Sequence, residues 1–183
     1  MSWIPDDEFI RGSVPMTKFE IRVLTLALLD CASGERLLDI GAGTGSVSVQ
    51  AARLGAEVWA IERKPEGLEL IAKNAEQFGV SVNLIAGSAP EAIATLPECT
   101  RCFIGGSGGK LPEIFERLES CLAASCRVAA NFITVENLVE SKRLFEHYGY
   151  RDIETRLIQS AQLDKYGLLR GHNPVFIIKG DKG

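Results

Sequence analysis

The run from Arg36 to Gly45, RLLDIGAGTG, constrains the fold more than any other segment. Arg36 to Ile40 supplies a short apolar strand, glycines stand at alternate positions 41, 43 and 45, and a helix is predicted from Ser46. A buried strand that breaks into a glycine turn and then a helix is the unit that wraps nucleotide-like ligands, because residues without a β-carbon let a ligand touch the main chain. The spacing argues against a dinucleotide. That fingerprint is G-x-G-x-x-G, with its third glycine where the first helical turn meets the strand. Here Ser46 holds that position, and the last glycine comes one residue early.

A G-x-G-x-G turn preceded by Asp39 instead resembles the first motif of S-adenosylmethionine-dependent methyltransferases. In that family the turn packs against a methionine carboxylate and ribose, and an acidic residue ending the next strand binds the ribose hydroxyls. Glu57 to Glu62 supplies such a strand, with Glu62 at roughly the twenty-residue distance the unit requires. The competing reading is a turn that only packs a helix onto a sheet, since a fold does not by itself fix a function.

The rest of the chain alternates strand and helix. Pro65 to Phe78 carries proline near its first helical position and apolar residues at 68, 71, 72, 75 and 78, one face of a helix stopped by Gly79. Ser81 to Ala86 reads as a strand, Pro90 to Leu96 as a short helix and Arg101 to Ile104 as a strand. Leu111 to Leu122 reads as a helix, Arg127 to Ile133 as a strand, and Glu136 to His147 as a helix closed by Gly149. This alternation predicts an α/β fold with a parallel sheet and helices on both faces. Arg151 to Ser160 and Pro174 to Lys179 then read as two strands with no helix between them, which must pair antiparallel. A mostly parallel, Rossmann-like sheet ending in a C-terminal antiparallel hairpin is how the seven-stranded methyltransferase fold ends. No linker or repeat divides residues 1–183, so one domain is expected.

With 46% hydrophobic and 24% charged residues, composition is ordinary for a globular domain. No apolar run is long enough to cross a bilayer and the first residues do not read as a signal peptide, so a cytoplasmic protein without membrane partners is expected. Twenty basic against 24 acidic residues, with no basic block, disfavour nucleic acid as a partner. Cys99 and Cys102 form a C-x-x-C, and Cys121 and Cys126 are the residues that would complete a zinc site. Their placement at a helix end and a strand start favours buried cysteines acting as small hydrophobes, with no metal.

Two further segments bear on chemistry. The loop Gly105-Gly106-Ser107-Gly108-Gly109-Lys110 follows the fourth predicted strand, where ligands of such sheets sit. It lacks the Asp or Asn, prolines and aromatic found where exocyclic base amines are methylated. Its glycines leave room for a large flat substrate against backbone amides, which also bind carboxylates; the alternative is a flexible surface loop. The second segment is Ile4-Pro5-Asp6-Asp7-Glu8-Phe9-Ile10, followed by Ser13 to Lys18. With Gly105 to Gly109, Gly87-Ser88-Ala89-Pro90 and Gly171-His172-Asn173-Pro174-Val175, it resembles, nearly end to end, the decarboxylating precorrin methyltransferases of cobalamin biosynthesis. One departure is Ser88, where the family often has Asp; a neutral hydroxyl is the weaker acceptor.

The resemblance implies methylation of carbon 15 of cobalt-precorrin-6B, a tetrapyrrole, with decarboxylation of the acetate on carbon 12, and S-adenosylmethionine as cofactor. It implies that Gly41, Ala42, Gly43, Thr44 and Gly45 hold the methionine portion, Glu62 the ribose, and Ser88 and Ala89 the adenine, while Thr17 closes over the cofactor. Gly105, Gly106, Ser107, Gly108, Gly109 and Lys110 are the expected substrate contacts. Lys18, Arg22, Lys110, Arg170 and His172 are cationic candidates for substrate carboxylates, each also readable as an ordinary surface residue. Lys110 and His172 are the candidates for a catalytic role, His172 as a proton donor. A homotetramer is expected from the same resemblance. An RNA or isoaspartyl-type protein methyltransferase, or a binding module without turnover, stays open on the residues alone.

Overall fold

The computed structural model describes residues 3–183, with Thr95 described by its backbone only. The strands are β1 (Arg36–Ile40), β2 (Glu57–Glu62), β3 (Asn83–Ala86), β4 (Cys99–Ile104), β5 (Leu122–Phe132), β6 (Arg151–Ile158), β7 (Ala161–Leu163), β8 (Leu169–Gly171) and β9 (Val175–Asp181). The helices are α1 (Phe19–Leu28), α2 (Ser46–Arg53), α3 (Pro65–Gln77), α4 (Leu111–Leu118) and α5 (Val135–His147). Seven strands form one sheet in the order β3-β2-β1-β4-β5-β9-β6, while β7 and β8 make a separate two-stranded hairpin. β1 to β5 run parallel, and β9 inserts antiparallel between β5 and β6. Among the described residues no helix is long and apolar enough to cross a membrane.

Side chains of the central strands alternate between two cores, as the two-residue period of a strand requires. Leu37, Val58, Phe103 and Ala129 pack with Leu26 of α1, with Leu29 just after it, and with Val47 and Ala51 of α2. Their neighbours Leu38, Cys102, Ile104, Val128 and Ala130 face the other way, onto Ile114, Phe115 and Leu118 of α4 and Phe145 of α5. Both faces of the sheet are therefore covered, which explains the continuous apolar strands in the sequence. Strand order reverses at β1, whose neighbours are β2 and β4, and such a switch point opens a crevice beyond the strand ends.

The predicted elements from Arg36 to Glu62 stand where expected, and the final antiparallel pair is β6 with β9. Most other boundaries shift by one or two residues, and three departures go further. The helix read over 111–122 stops at Leu118, because the Ser120 and Cys121 amides donate to the Arg117 and Leu118 carbonyls in a tightened turn. The Cys99 amide then donates to the Cys121 carbonyl, drawing the chain into the sheet, so β5 starts at Leu122 rather than 127. The short helix read over 90–96 is a 3-10 turn at Glu91–Thr95. Sequence reading also missed α1 and the β7–β8 hairpin. The latter is three exposed residues per strand, too short to show an alternation.

The five cysteines are free and buried. Burial pushes the Cys31 and Cys99 thiols up to about 12 and Cys121 up to about 11, leaving them protonated and unreactive at neutral pH. Among the described residues no cluster of His, Cys, Asp and Glu is arranged to hold a metal ion.

Candidate active site

A cleft of about 390 Å³ opens beyond the carboxyl ends of the parallel strands. Gly41, Ala42 and Gly43 after β1 line it, with Glu62 ending β2, Arg63 and Lys64 after it, and Gly87 to Ala89 after β3. Gly105 to Gly108 and Lys110 follow β4 around its rim, and Asn131 and Phe132 at the end of β5, with Ile133 after it, come next. Val14 to Lys18 close one side, and Ile158, Ser160, His172, Asn173 and Val175 close the other. The topology thus brings most of the residues singled out in the sequence to one place. Thr44 and Gly45 do not line the cleft: Thr44 is 1% exposed, and Gly45 packs behind it against Ile71. Gly109 also stays outside the lining.

The glycine turn is filled by the protein's own chain. A β-carbon on Gly41 would lie 2.7 Å from the Gly106 carbonyl oxygen, and one on Gly43 would lie 2.7 Å from that of Pro15. The space beside these glycines, expected from the sequence to take a ligand, belongs in large part to the loop after β4 and to the N-terminal segment. The amides of Gly41 and Ala42 both donate to the Ile61 carbonyl, and that of Gly43 donates to Glu62 Oε2 at 2.8 Å. With three donors spent internally, the turn is a poor receptor for a diphosphate. What it presents is carbonyl oxygen and Cα surface, which suits an ammonium group.

Glu62 is 7% exposed and is fixed by main-chain donors alone. Its Oε1 accepts from the Arg63 amide at 2.9 Å and the Lys64 amide at 2.8 Å. Oε2 takes only the Gly43 amide, so it keeps lone-pair capacity for an incoming hydroxyl. Gly67, in the first turn of α3, makes the room: a β-carbon there would sit 2.6 Å from Glu62 Cγ and 3.0 Å from the Gly43 carbonyl oxygen. Sequence reading missed Gly67. A glycine inside a helix is unfavourable by about 1 kcal/mol relative to alanine, and that anomaly was the available signal.

Behind the turn, Asp39 is fully buried on β1. Ser48 Oγ donates to its Oδ2 at 2.5 Å, while Oδ1 has no partner. Burial pushes this carboxyl up to about 7; the nearby Glu62 charge adds to the effect and the Ser48 hydrogen bond opposes it.

The N-terminal segment is held over this wall by side chains from several elements. The Ile4 amide donates to Gln50 Oε1 and the Ile10 amide to Asn74 Oδ1, both at 2.8 Å. Asn74 Nδ2 in turn donates to the Thr44 carbonyl at 3.0 Å, tying segment to turn. The Ser13 amide and hydroxyl donate to Glu66 at 2.6 and 2.5 Å, which holds the Glu66 carboxyl below its usual range. Arg22, read from sequence as a candidate for substrate carboxylates, is instead the centre of this clamp. It is 0% exposed and donates to the Ile4 carbonyl at 2.5 Å, the Thr17 carbonyl at 3.0 Å and Asp6 at 3.1 Å, with the Phe9 ring 4.8 Å away. Arg170 is also displaced from its expected role, lying on β8 outside the cleft and paired with Asp164 at 3.0 Å. Thr17 does line the cleft, beside Lys18.

On the opposite wall, Lys110 is at the rim but paired with Glu91 at 2.9 Å. His172 is half-buried, with its amide donating to the Ser160 carbonyl. Two residues that sequence reading missed stand out. Asn131 on β5 hydrogen-bonds Thr25 Oγ1 at 3.1 Å, coupling α1 to the cleft floor. Arg63 is exposed at the mouth, next to Gly108. Its only sequence signal was its place directly after the acidic strand end.

A seven-stranded sheet with one inserted antiparallel strand, a glycine turn at the switch point and an acidic residue closing β2 define a Rossmann-like methyltransferase. The precorrin methyltransferase domain profile matches residues 8–181, and the chain belongs to that family. A probable cobalt-precorrin-6B C(15)-methyltransferase (decarboxylating) of Pyrobaculum aerophilum is 39% identical, over 97% of this chain and 98% of that protein. The crystal structure of precorrin-6y C5,15-methyltransferase from Geobacter metallireducens superposes with a TM-score of 0.92 at 35% identity, covering 98% of this chain and 97% of that one. The structure described as precorrin 8w decarboxylase of Methanobacterium thermoautotrophicum gives a TM-score of 0.88 at 32% identity, over 97% and 98% of the two chains.

Proposed function

We propose that this chain methylates carbon 15 of cobalt-precorrin-6B from S-adenosylmethionine and decarboxylates the acetate side chain on carbon 12, a step of cobalamin biosynthesis. The observation that carries this reading is nearly end-to-end similarity, at 39% identity, to a protein bearing that name, together with a cleft built around Glu62 and the Gly41–Gly43 turn.

The donor set fits the proposed cofactor. Glu62 Oε2 retains an acceptor site for ribose hydroxyls, and the turn offers carbonyls and close-packed Cα surface to a methionine ammonium. Ser88 and Ala89 after β3 stand where an adenine edge is expected. When bound, S-adenosylmethionine supplies a methyl group that is already electrophilic. The protein's work is then chiefly positioning, since holding reactants in line removes much of an encounter's entropic barrier. The Gly105–Gly108 loop gives a flat substrate close access to the donor side. Val14 to Lys18, clamped by Arg22, screen that side from water. His172 Nδ1 or Nε2 is our candidate for the proton that replaces carbon dioxide on the side chain; Lys110, already paired with Glu91, is the less available of the two candidates.

The test is incubation with cobalt-precorrin-6B and methyl-labelled cofactor, read by mass spectrometry. A product that has gained one methyl and lost carbon dioxide supports the reading; an unchanged macrocycle removes it. The expected homotetramer belongs to the same reading. Leu163, Tyr166, Leu168 and Leu169 on the β7–β8 hairpin are 55–74% exposed and offer apolar surface for such assembly, which sedimentation would measure.

A further inference from the structure

The cations at the cleft differ in what already occupies them. Lys110 pairs with Glu91 at 2.9 Å, Lys18 stands 4.0 Å from Asp6, and Lys64 interacts with Glu66. The side chain of Arg63 has no hydrogen bond or ion pair among the described residues, although its amide is held by Glu62 Oε1. It is exposed, lines the cleft, and lies against the loop after β4: a β-carbon on Gly108 would come within 3.6 Å of its Nη1. Even a β-carbon there would make only ordinary contact, so the loop borders the guanidinium without crowding it. Across the mouth stand Ile133, 67% exposed, and the half-buried Ile158 and Val175.

We infer that Arg63 anchors a carboxylate of the macrocyclic substrate at the lip of the cleft, while the apolar wall opposite receives the ring face. This rests on the proposed function, whose substrate carries several carboxylates around a flat apolar ring. A guanidinium presents a planar fork that matches a carboxylate in bidentate fashion, and one without a partner gives up no existing ion pair to do so. The chain carries a net charge of −4, so a polyanionic substrate meets overall repulsion and an unpaired cation at the mouth decides where it docks. Because Arg63 directly follows the Glu62 carboxylate, one anchored carboxylate also fixes which edge of the ring faces the methyl donor.

The test compares wild type, R63Q and R63K. Substitution at the side chain leaves the Glu62–amide hydrogen bond in place, so folding is expected to persist. R63Q should raise KM for cobalt-precorrin-6B by about 10-fold or more, as loss of a charged hydrogen bond does. Cofactor Kd by calorimetry should stay within about twofold, and R63K should fall between the two. Added salt should raise the wild-type KM more steeply than that of R63Q. A weakened cofactor Kd with unchanged KM would reassign Arg63 to the adenosine, and no change in either would make it a solvated side chain; each overturns the inference. Wild-type protein that fails to convert the macrocycle removes the proposed function itself, and the anchor with it. Conversion by wild type with an unmoved R63Q removes the anchor alone.

Discussion

The wall of the cleft formed by the ends of β1 and β2 and by residues 3–18 is dense with internal hydrogen bonds, whereas the wall from β5 to β9 is left open. On the first, the amides at 41, 42 and 43 donate to the protein, Glu62 accepts three amides, and Arg22 donates to three groups with no exposure. On the second, Ile133 and Leu157 are 67% and 56% exposed, and His172 contributes only its amide to the hydrogen-bond network. The difference teaches how the two ligands are to be met. A wall whose groups are fixed before binding loses little entropy when a small ligand arrives, and its polar groups specify one ligand. An open wall with apolar surface suits a large ring that brings its own shape.

The sharpest way to break this contrast is to remove the carboxylate that organises the first wall. Glu62→Ala leaves the amides of Gly43, Arg63 and Lys64 without their acceptor and removes the ribose contact. Cofactor affinity should fall by about 100-fold or more, from hydrogen bonds to a charged group at about 1.5–3 kcal/mol each. Calorimetry measures this, and retained wild-type affinity would refute the ribose assignment. Of similar size is Arg22→Met, which strips a buried cation from Asp6, leaves the Ile4 carbonyl unpaired and leaves the Thr17 carbonyl with Ser46 Oγ alone. Urea denaturation should show a loss of about 3–5 kcal/mol, the range for breaking a buried pair. Protease should cut first between residues 3 and 18. A loss below about 1 kcal/mol would mean that the clamp is not what holds the segment.

The elements that sequence reading recovered and those it missed follow the same division. The first wall was legible because it is local. Arg36 to Gly45 and Glu57 to Glu62 carry strand pattern, turn and acidic end within one short stretch. What holds that wall together was not legible, because its partners are far apart in sequence: Asn74 to Ile10, Glu66 to Ser13, Arg22 to Ile4. Arg22 in particular looks like any surface arginine until the chain folds around it. Of the second wall, the loop at 105–110 was visible from its glycines. Asn131, Ile158 and Ser160 carry no local signal, because a strand end becomes a cleft wall only through the order in which β5, β9 and β6 pair.

Gly67→Ala probes the first wall more gently. The added methyl must displace Glu62 Cγ or the Gly43 carbonyl, so overpacking of about 1–3 kcal/mol is expected. The cofactor Kd should rise while KM for the macrocycle holds. Movement of both together would show that the two walls are mechanically one.

The smallest effect concerns an unpartnered buried group in the first wall. Asp39 Oδ1 has no partner, and burial lifts the carboxyl from 3.8 to about 7. In the unfolded chain Asp39 loses its proton near its ordinary value, whereas in the folded chain it keeps it up to about neutrality. Between those values the folded state binds more protons than the unfolded one, so stability from this group falls as pH rises and levels off above about 7. From pH 6 to pH 8 wild type should lose about 1 kcal/mol relative to Asp39→Asn, whose amide does not titrate in this range. Urea midpoints at the two pH values measure it. A gap that does not widen with pH would mean that Asp39 is already ionised at pH 6, and that the wall tolerates a buried charge because Ser48 and the start of α2 stabilise it.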